Sequence, residues 1–145
     1  MEGIRQGDIP GVQLRRRVNV PQSSPEKVWA FWVEAEKQSR WLCDRARIEE
    51  GPPTVFWLES DDSQGDVRRE YAEVIERAEP QRLVLGFRQL DAGWNASTMV
   101  TVELTRSEAG CRVSVFQEGF QQLPLSIGLT VWEHSRARWL GRSGV

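Results

Sequence analysis

Apolar and polar positions alternate from the start of the readable pattern. Val12, Leu14, Val18 and Val20 share one parity and Arg15 and Arg17 the other, with Arg16 the exception on the apolar side. That is a strand buried on one face, over 12–20. The period then changes. Ser24 is placed as a helix N-cap, Pro25 fits the first helical position, and Lys27 stands where a capping box would put Glu, so the cap is partial. Val28, Phe31 and Trp32 recur at helical spacing with Trp29 at the margin, Glu34 to Lys37 interrupt the face, and Trp41 and Leu42 form a second apolar knot. The spacing predicts two short helices, about 25–34 and 36–42.

The rest of the chain returns to period two. Arg45 to Glu49 and Thr54 to Glu59 read as strands around the turn Gly51-Pro52-Pro53, and Ser60 to Gly65 as a hairpin loop. Val55 to Leu58 is continuously apolar, as in a strand covered on both sides or lying under a loop. Longer strands follow at 66–77, 82–89, 97–105 and 111–118, separated by Glu79-Pro80-Gln81, Asp91-Ala92-Gly93 and the tight connection Ser107 to Gly110. A closing helix spans 124–140, with Leu125, Leu129, Trp132, Arg136 and Trp139 on one face and Gly128 as a weak point. Helices segregated on an antiparallel sheet give an α+β class: a curved sheet of six to seven strands gripping one long C-terminal helix, with two short helices after the first strand. The expectation is a single domain over 1–145, with 1–11 a loose arm and 141–145 a short tail.

Composition narrows the function classes. A length of 145 residues, 39% hydrophobic, suits one domain with a real core, and the net charge of -2 gives no reason to expect nucleic acid. Seven Trp are many for this size, and fit either a packed aromatic core or a ligand surface. Cys43 and Cys111 match no zinc or redox spacing, and read as free thiols of a cytoplasmic protein. His134 is the one histidine, so a His-rich metal site is excluded and no cofactor is called for. No apolar run is long enough to span a membrane.

The order of elements, and residues within them, resemble a known family. Val18-Asn19-Val20-Pro21, Ser24-Pro25-Glu26-Lys27-Val28-Trp29 and Arg40-Trp41 match, as do Val74-Ile75-Glu76, Pro80-Gln81-Arg82-Leu83-Val84 and the Val/Thr strand 98–104. Gly110 to Val115, Glu118-Gly119-Phe120 and Trp132 complete a resemblance that covers about 12–140. The chain resembles the helix-grip superfamily of START, birch-pollen-allergen and polyketide-cyclase proteins, in particular the branch named after the activator of the heat-shock chaperone ATPase. It departs from that pattern at Gly51-Pro52-Pro53 in place of a Gly-Gly pair, at Gln117 in place of a His, and at Gly141 and Gly144, where the closing helix ordinarily continues. The resemblance implies a cavity between sheet and closing helix and no shared catalytic motif.

On that expectation the cavity is lined by Trp57, Tyr71, Leu85, Phe87, Val100, Val102, Val115, Gln117 and Trp132, with Trp41 at its mouth and Arg136 as a cationic anchor for a carboxylate or enolate. The structural alternative for Arg136 is a fork to an inward carboxylate such as Glu73, or a stem that snorkels to solvent. His134 falls away from the expected cavity face, which argues against a general base there. Glu70, Glu73 and Glu76 cannot share one strand face, so no acid–base carboxylate pair is expected. The leading expectation is a non-enzymatic binding domain for a hydrophobic small molecule that carries an anionic group, in a monomer or homodimer. The alternatives are a module that docks on a chaperone or other protein partner and, behind it, a cyclase-type enzyme.

Overall fold

The computed structural model describes residues 13–89, 97–123 and 125–139, with side chains left out at 121 and 125–130. The expected N-terminal arm, the turn Asp91-Ala92-Gly93, the tail 141–145 and the side chains of Leu125 and Leu129 lie outside the described residues.

The first strand, β1 (Gln13–Pro21), leads into α1 (Pro25–Val33) and the single-turn α2 (Ala35–Gln38). Ser24 caps α1 as its sequence implies, accepting from the Lys27 amide at 3.2 Å. Six strands follow: β2 (Arg45–Glu49), β3 (Val55–Asp61), β4 (Val67–Ala78), β5 (Arg82–Gln89), β6 (Thr98–Ser107) and β7 (Gly110–Glu118). The chain closes with α3 (Leu125–Ala137), and a wider, π-type turn carries it through Arg138 and Trp139. All seven strands form one antiparallel sheet in the order β1-β7-β6-β5-β4-β3-β2, with β1 closing back beside β7.

The pleat divides the sheet into two faces. Phe56, Leu58, Ala72, Leu83, Leu85, Val100, Val102, Val113 and Val115 point to one side and form the core with Val28, Trp29, Trp32 and Trp139. The three helices therefore cover that face, and the other is open. A bulge between Val74 and Glu76 adds one residue to β4 and leaves Ile75 52% exposed. At the β6–β7 turn Gly110 is required by close approach, because a Cβ there would lie 2.2 Å from the Val20 carbonyl oxygen.

Two helical faces differ from the sequence reading. In α1 the buried positions are Pro25, Val28, Trp29 and Trp32, while Phe31 is 37% exposed. Trp29 buries more area than Phe31 can, so the helix turns its indole inward. Among the described side chains of α3 and the turn that follows it, Val131, Ser135, Arg138 and Trp139 are buried, and Arg136 is exposed. Trp139 of the expected face is buried, but Val131 and Ser135 take the inward positions expected of Trp132 and Arg136, one residue step or about 100° around the helix. Small Ser135 and β-branched Val131 pack closely against the sheet, and the wide last turn brings Arg138 and Trp139 in together.

Candidate functional site

The core-facing side of the sheet is apolar at its centre and charged at the β3–β4 end. Ser60 stands opposite Arg68, and Leu58 opposite Glu70, in the β3–β4 register. All four point toward the helices, and Ser60 and Glu70 are buried. Arg138 reaches down from the last turn of α3 and forks onto Glu70, Nη2 to Oε1 at 2.5 Å and Nη1 to Oε2 at 3.3 Å. Arg68 Nε lies 3.8 Å from the same carboxylate. Burial pushes the Glu70 pKa up, but the charge and hydrogen bonds of Arg138, with Arg68 and His134 behind them, outweigh it and leave the net shift downward. Glu70 is therefore ionised at neutral pH.

His134 belongs to this cluster, which corrects the expectation that it faces away from the sheet. It is half-buried, and burial holds its pKa below the usual histidine value, reinforced by Arg68 and Arg138 and opposed by Glu70 and Asp62. The imidazole is thus neutral at pH 7. Its Nδ1 is buried without a hydrogen-bond partner, and so is Ser60 Oγ. Cys43 adjoins the same charges. Burial pushes its thiol up to about 11 against the pull of Arg138, and its Sγ lies 3.2 Å from the Arg45 carbonyl oxygen. A thiol held protonated in this way is no nucleophile.

Next to the charged end lies an aromatic block. Trp32, Trp41 and Trp139 pack with ring centroids 4.7 Å apart for Trp32–Trp41, 5.9 Å for Trp32–Trp139 and 6.4 Å for Trp41–Trp139. Trp139 Nε1 donates to Gln117 Oε1 at 2.7 Å, and Gln117 Nε2 donates to Thr98 Oγ1 at 2.8 Å. Gln117, expected among ligand-lining groups, thus ties the last turn of α3 to β7 and β6. Trp41 is half-buried at the margin of the block, with its Nε1 donating to the Phe31 carbonyl at 2.8 Å.

The other expected site residues divide into three groups. Leu85, Phe87, Val100, Val102 and Val115 do face the helices, but each is at most 4% exposed, so each is packed against protein atoms. Trp57 and Tyr71 are directly paired in the register, with rings 5.5 Å apart, and lie on the open face of the sheet, away from α3. The pleat decides this, since their neighbours Phe56, Leu58 and Ala72 take the inward positions. Trp132 is half-buried among Phe120, Leu123, Val131 and Leu14 at the β1 side. Arg136 stacks over the Trp132 ring at 5.7 Å and anchors nothing between sheet and helix. The inward cation is Arg138, two residues further on, which the sequence reading missed along with Glu70, Arg68 and Ser60. One signal was available: Glu70 shares strand parity with Ala72 and Val74, the inward set.

Among the described residues, no group of three or more His, Cys, Asp or Glu converges to hold a metal ion, and no helix is long and apolar enough to cross a membrane.

Comparison with solved structures gives the same architecture. A protein from Chromobacterium violaceum, CV1439, superimposes with a TM-score of 0.65 at 20% identity, over 87% of this chain and 92% of that one. An AHSA1-like protein from Aeromonas hydrophila gives 0.61 at 14% identity, over 88% and 89%. CalU16 from Micromonospora echinospora gives 0.56 at 15% identity, over 87% and 69%. Identities this low establish the shared fold alone. No curated protein matches the chain. The family model described as activator of Hsp90 ATPase homolog 1-like protein matches residues 22–134. This fold supports a ligand-binding or interaction domain, and the chain belongs to the activator of Hsp90 ATPase homolog 1-like family, within the helix-grip superfamily.

Proposed function

We propose that the chain is a non-enzymatic binding domain for a small amphipathic molecule, and that it holds an anionic group of that molecule at the charged end of the space between the sheet and α3. The cluster around Glu70 carries this reading. Two guanidiniums, Arg138 and Arg68, face one ionised carboxylate beside a neutral imidazole. Ser60 Oγ and His134 Nδ1 are buried and lack partners, and buried polar atoms ordinarily have them. An oxyanion placed beside Ser60 and His134, within reach of the two guanidiniums, supplies those partners. The close packing of Leu85, Val100, Val102 and Val115 keeps the apolar part of the ligand out of the core centre. Half-buried Trp41, beside Trp139, offers it a ring to lie against.

The experiment compares matched probes, an aromatic carboxylate and its primary amide, by titration calorimetry on the protein and on Arg68→Met. The carboxylate is expected to bind more tightly than the amide by roughly 1.5–3 kcal/mol, the worth of a hydrogen bond to a charged group. That preference should vanish in Arg68→Met while circular dichroism stays unchanged. Equal binding of acid and amide by the unsubstituted protein would sink the reading.

A further inference from the structure

The face of the sheet that the helices leave open has two unlike ends. At the β2–β4 end, positive charges sit beside negative ones. Arg45 is bonded to Glu59 at 2.9 Å and to Asp61 at 2.7 Å, Arg69 lies 3.4 Å from Glu59, and Arg47 lies 4.0 Å from Glu49. At the β1–β7 end, Arg15, Arg17 and Arg112 are all exposed on this face, and among the described residues none of them has an ion pair. Two acids lie on this face nearby: Glu103, in the Arg17–Ser114 row, is already bonded by Arg82 at 2.7 Å, and Glu118, exposed opposite Gln13 and diagonal to Arg15, pairs with none of the three among the described residues.

The three arginines are arranged as well as unpaired. Arg15 and Arg17 sit two residues apart on β1, which places them about 6.6 Å apart along the strand at the usual rise. Arg112 stands opposite Asn19 on β7, diagonal to Arg17. Arg17, Asn19 and Arg112 border a groove of about 160 Å³. The Arg15 guanidinium lies 4.8 Å from the centroid of the Phe116 ring, within cation–π range. Among the described residues β1 ends the sheet, and no further strand crowds these side chains.

We propose that this patch docks an extended acidic segment of a partner protein, with carboxylates at alternate positions meeting Arg15 and Arg17 and one of them shared with Arg112. The alternation follows from geometry, because an extended chain repeats its side chains on one face at the same two-residue spacing as β1. A planar guanidinium also suits bidentate carboxylate recognition. The patch is small, and with its three positive charges set aside the remainder of the chain carries -5. A broad polyanionic surface, whether nucleic acid or an acidic membrane, would be repelled by that remainder, whereas a single narrow segment need touch only the patch. This proposal is independent of the anion site at Glu70, which lies on the opposite face.

The test measures fluorescence anisotropy of a labelled ten-residue peptide of alternating Glu and Thr, at 50 mM and 300 mM salt. Binding should weaken roughly tenfold in Arg17→Gln/Arg112→Gln, two contacts at the worth of exposed charge pairs, and should fall with salt. A control, Arg47→Gln/Arg88→Gln, removes the same charge from β2 and from β5, where Arg88 stands opposite Tyr71 on the same face, and should leave binding unchanged. Equal loss in both double variants would mean non-specific attraction and would overturn the proposal, as would no loss in the first. Arg17- and Arg112-dependent binding of phosphatidylserine vesicles or single-stranded DNA at least as tight as the peptide would overturn the choice of partner.

Discussion

Replacing Arg138 with Met removes the charge opposite Glu70 while keeping much of the volume. Glu70 and Arg138 side chains are only 9% and 5% exposed, so the carboxylate left behind is screened little by water. Stranding one member of a buried pair costs about 3–5 kcal/mol. Arg68 remains 3.8 Å from Glu70 and is itself 21% exposed, so it compensates in part and places the expected loss near the lower figure, about 3 kcal/mol. The double variant Glu70→Leu/Arg138→Met removes both charges and should recover most of that loss, since apolar replacement of a buried pair is often neutral or stabilising by about 1–4 kcal/mol. The assay is urea unfolding followed by tryptophan fluorescence, which reports on Trp32 and Trp139 in the core, with the slope checked for constancy. A loss under about 1 kcal/mol for Arg138→Met would show that the pair is solvated in solution. A double variant less stable than the single would show that Arg138 and Glu70 act through packing, and the charge argument would fail.

Trp32→Ala opens a hole between α1, Trp41 and Trp139, and should cost roughly 3–5 kcal/mol in the same unfolding assay; a cost below about 1 kcal/mol would place the indole at the surface. Stability should fall on acidification in two stages. The folded His134 pKa lies below its ordinary 6.5, so the unfolded chain takes up a proton first and stability declines as pH drops below that value; the folded Glu70 pKa lies below its ordinary 4.5, so its contribution is complete above that value and is lost as pH falls through the folded one. Unfolding midpoints from pH 8 down to about 2 check this: His134→Gln should remove the first decline and leave the second, and an unchanged first decline refutes the assignment.

The period of the hydrophobic pattern determined most of the architecture without help from tertiary structure. Strict alternation at Val100, Val102 and Leu104, and again at Cys111, Val113 and Val115, admits only a half-buried strand, and all of these positions face the core. Ser24 and Pro25 placed the start of α1 for a local reason, an amide that needs a partner and a proline that lacks one. A strand pattern also says which residues share a face. Choosing which face meets the helices depends on the whole sheet, and the apolar run Val55 to Leu58 carried large side chains of both parities. Burial of Phe56 and Leu58 sent Trp57, and with it Tyr71, to the open face.

The helices were less legible because several faces of a short helix are nearly equal in apolar content. Leu125, Leu129, Trp132 and Trp139 made one plausible stripe in α3, and that stripe carried Arg136 inward. Among the described side chains, packing kept Trp139 inward but took Val131 and Ser135 in place of Trp132 and Arg136, and brought in Arg138 to meet a carboxylate 68 residues away along the chain. That partnership has no local signature. A buried guanidinium is tolerable only opposite a charge, and only the folded sheet presents Glu70 at the place where the last turn of α3 ends. The sequence alone determined the strands and the cap that starts α1; tertiary structure decided which cation meets which carboxylate, because pairing across the core is a property of distance in space.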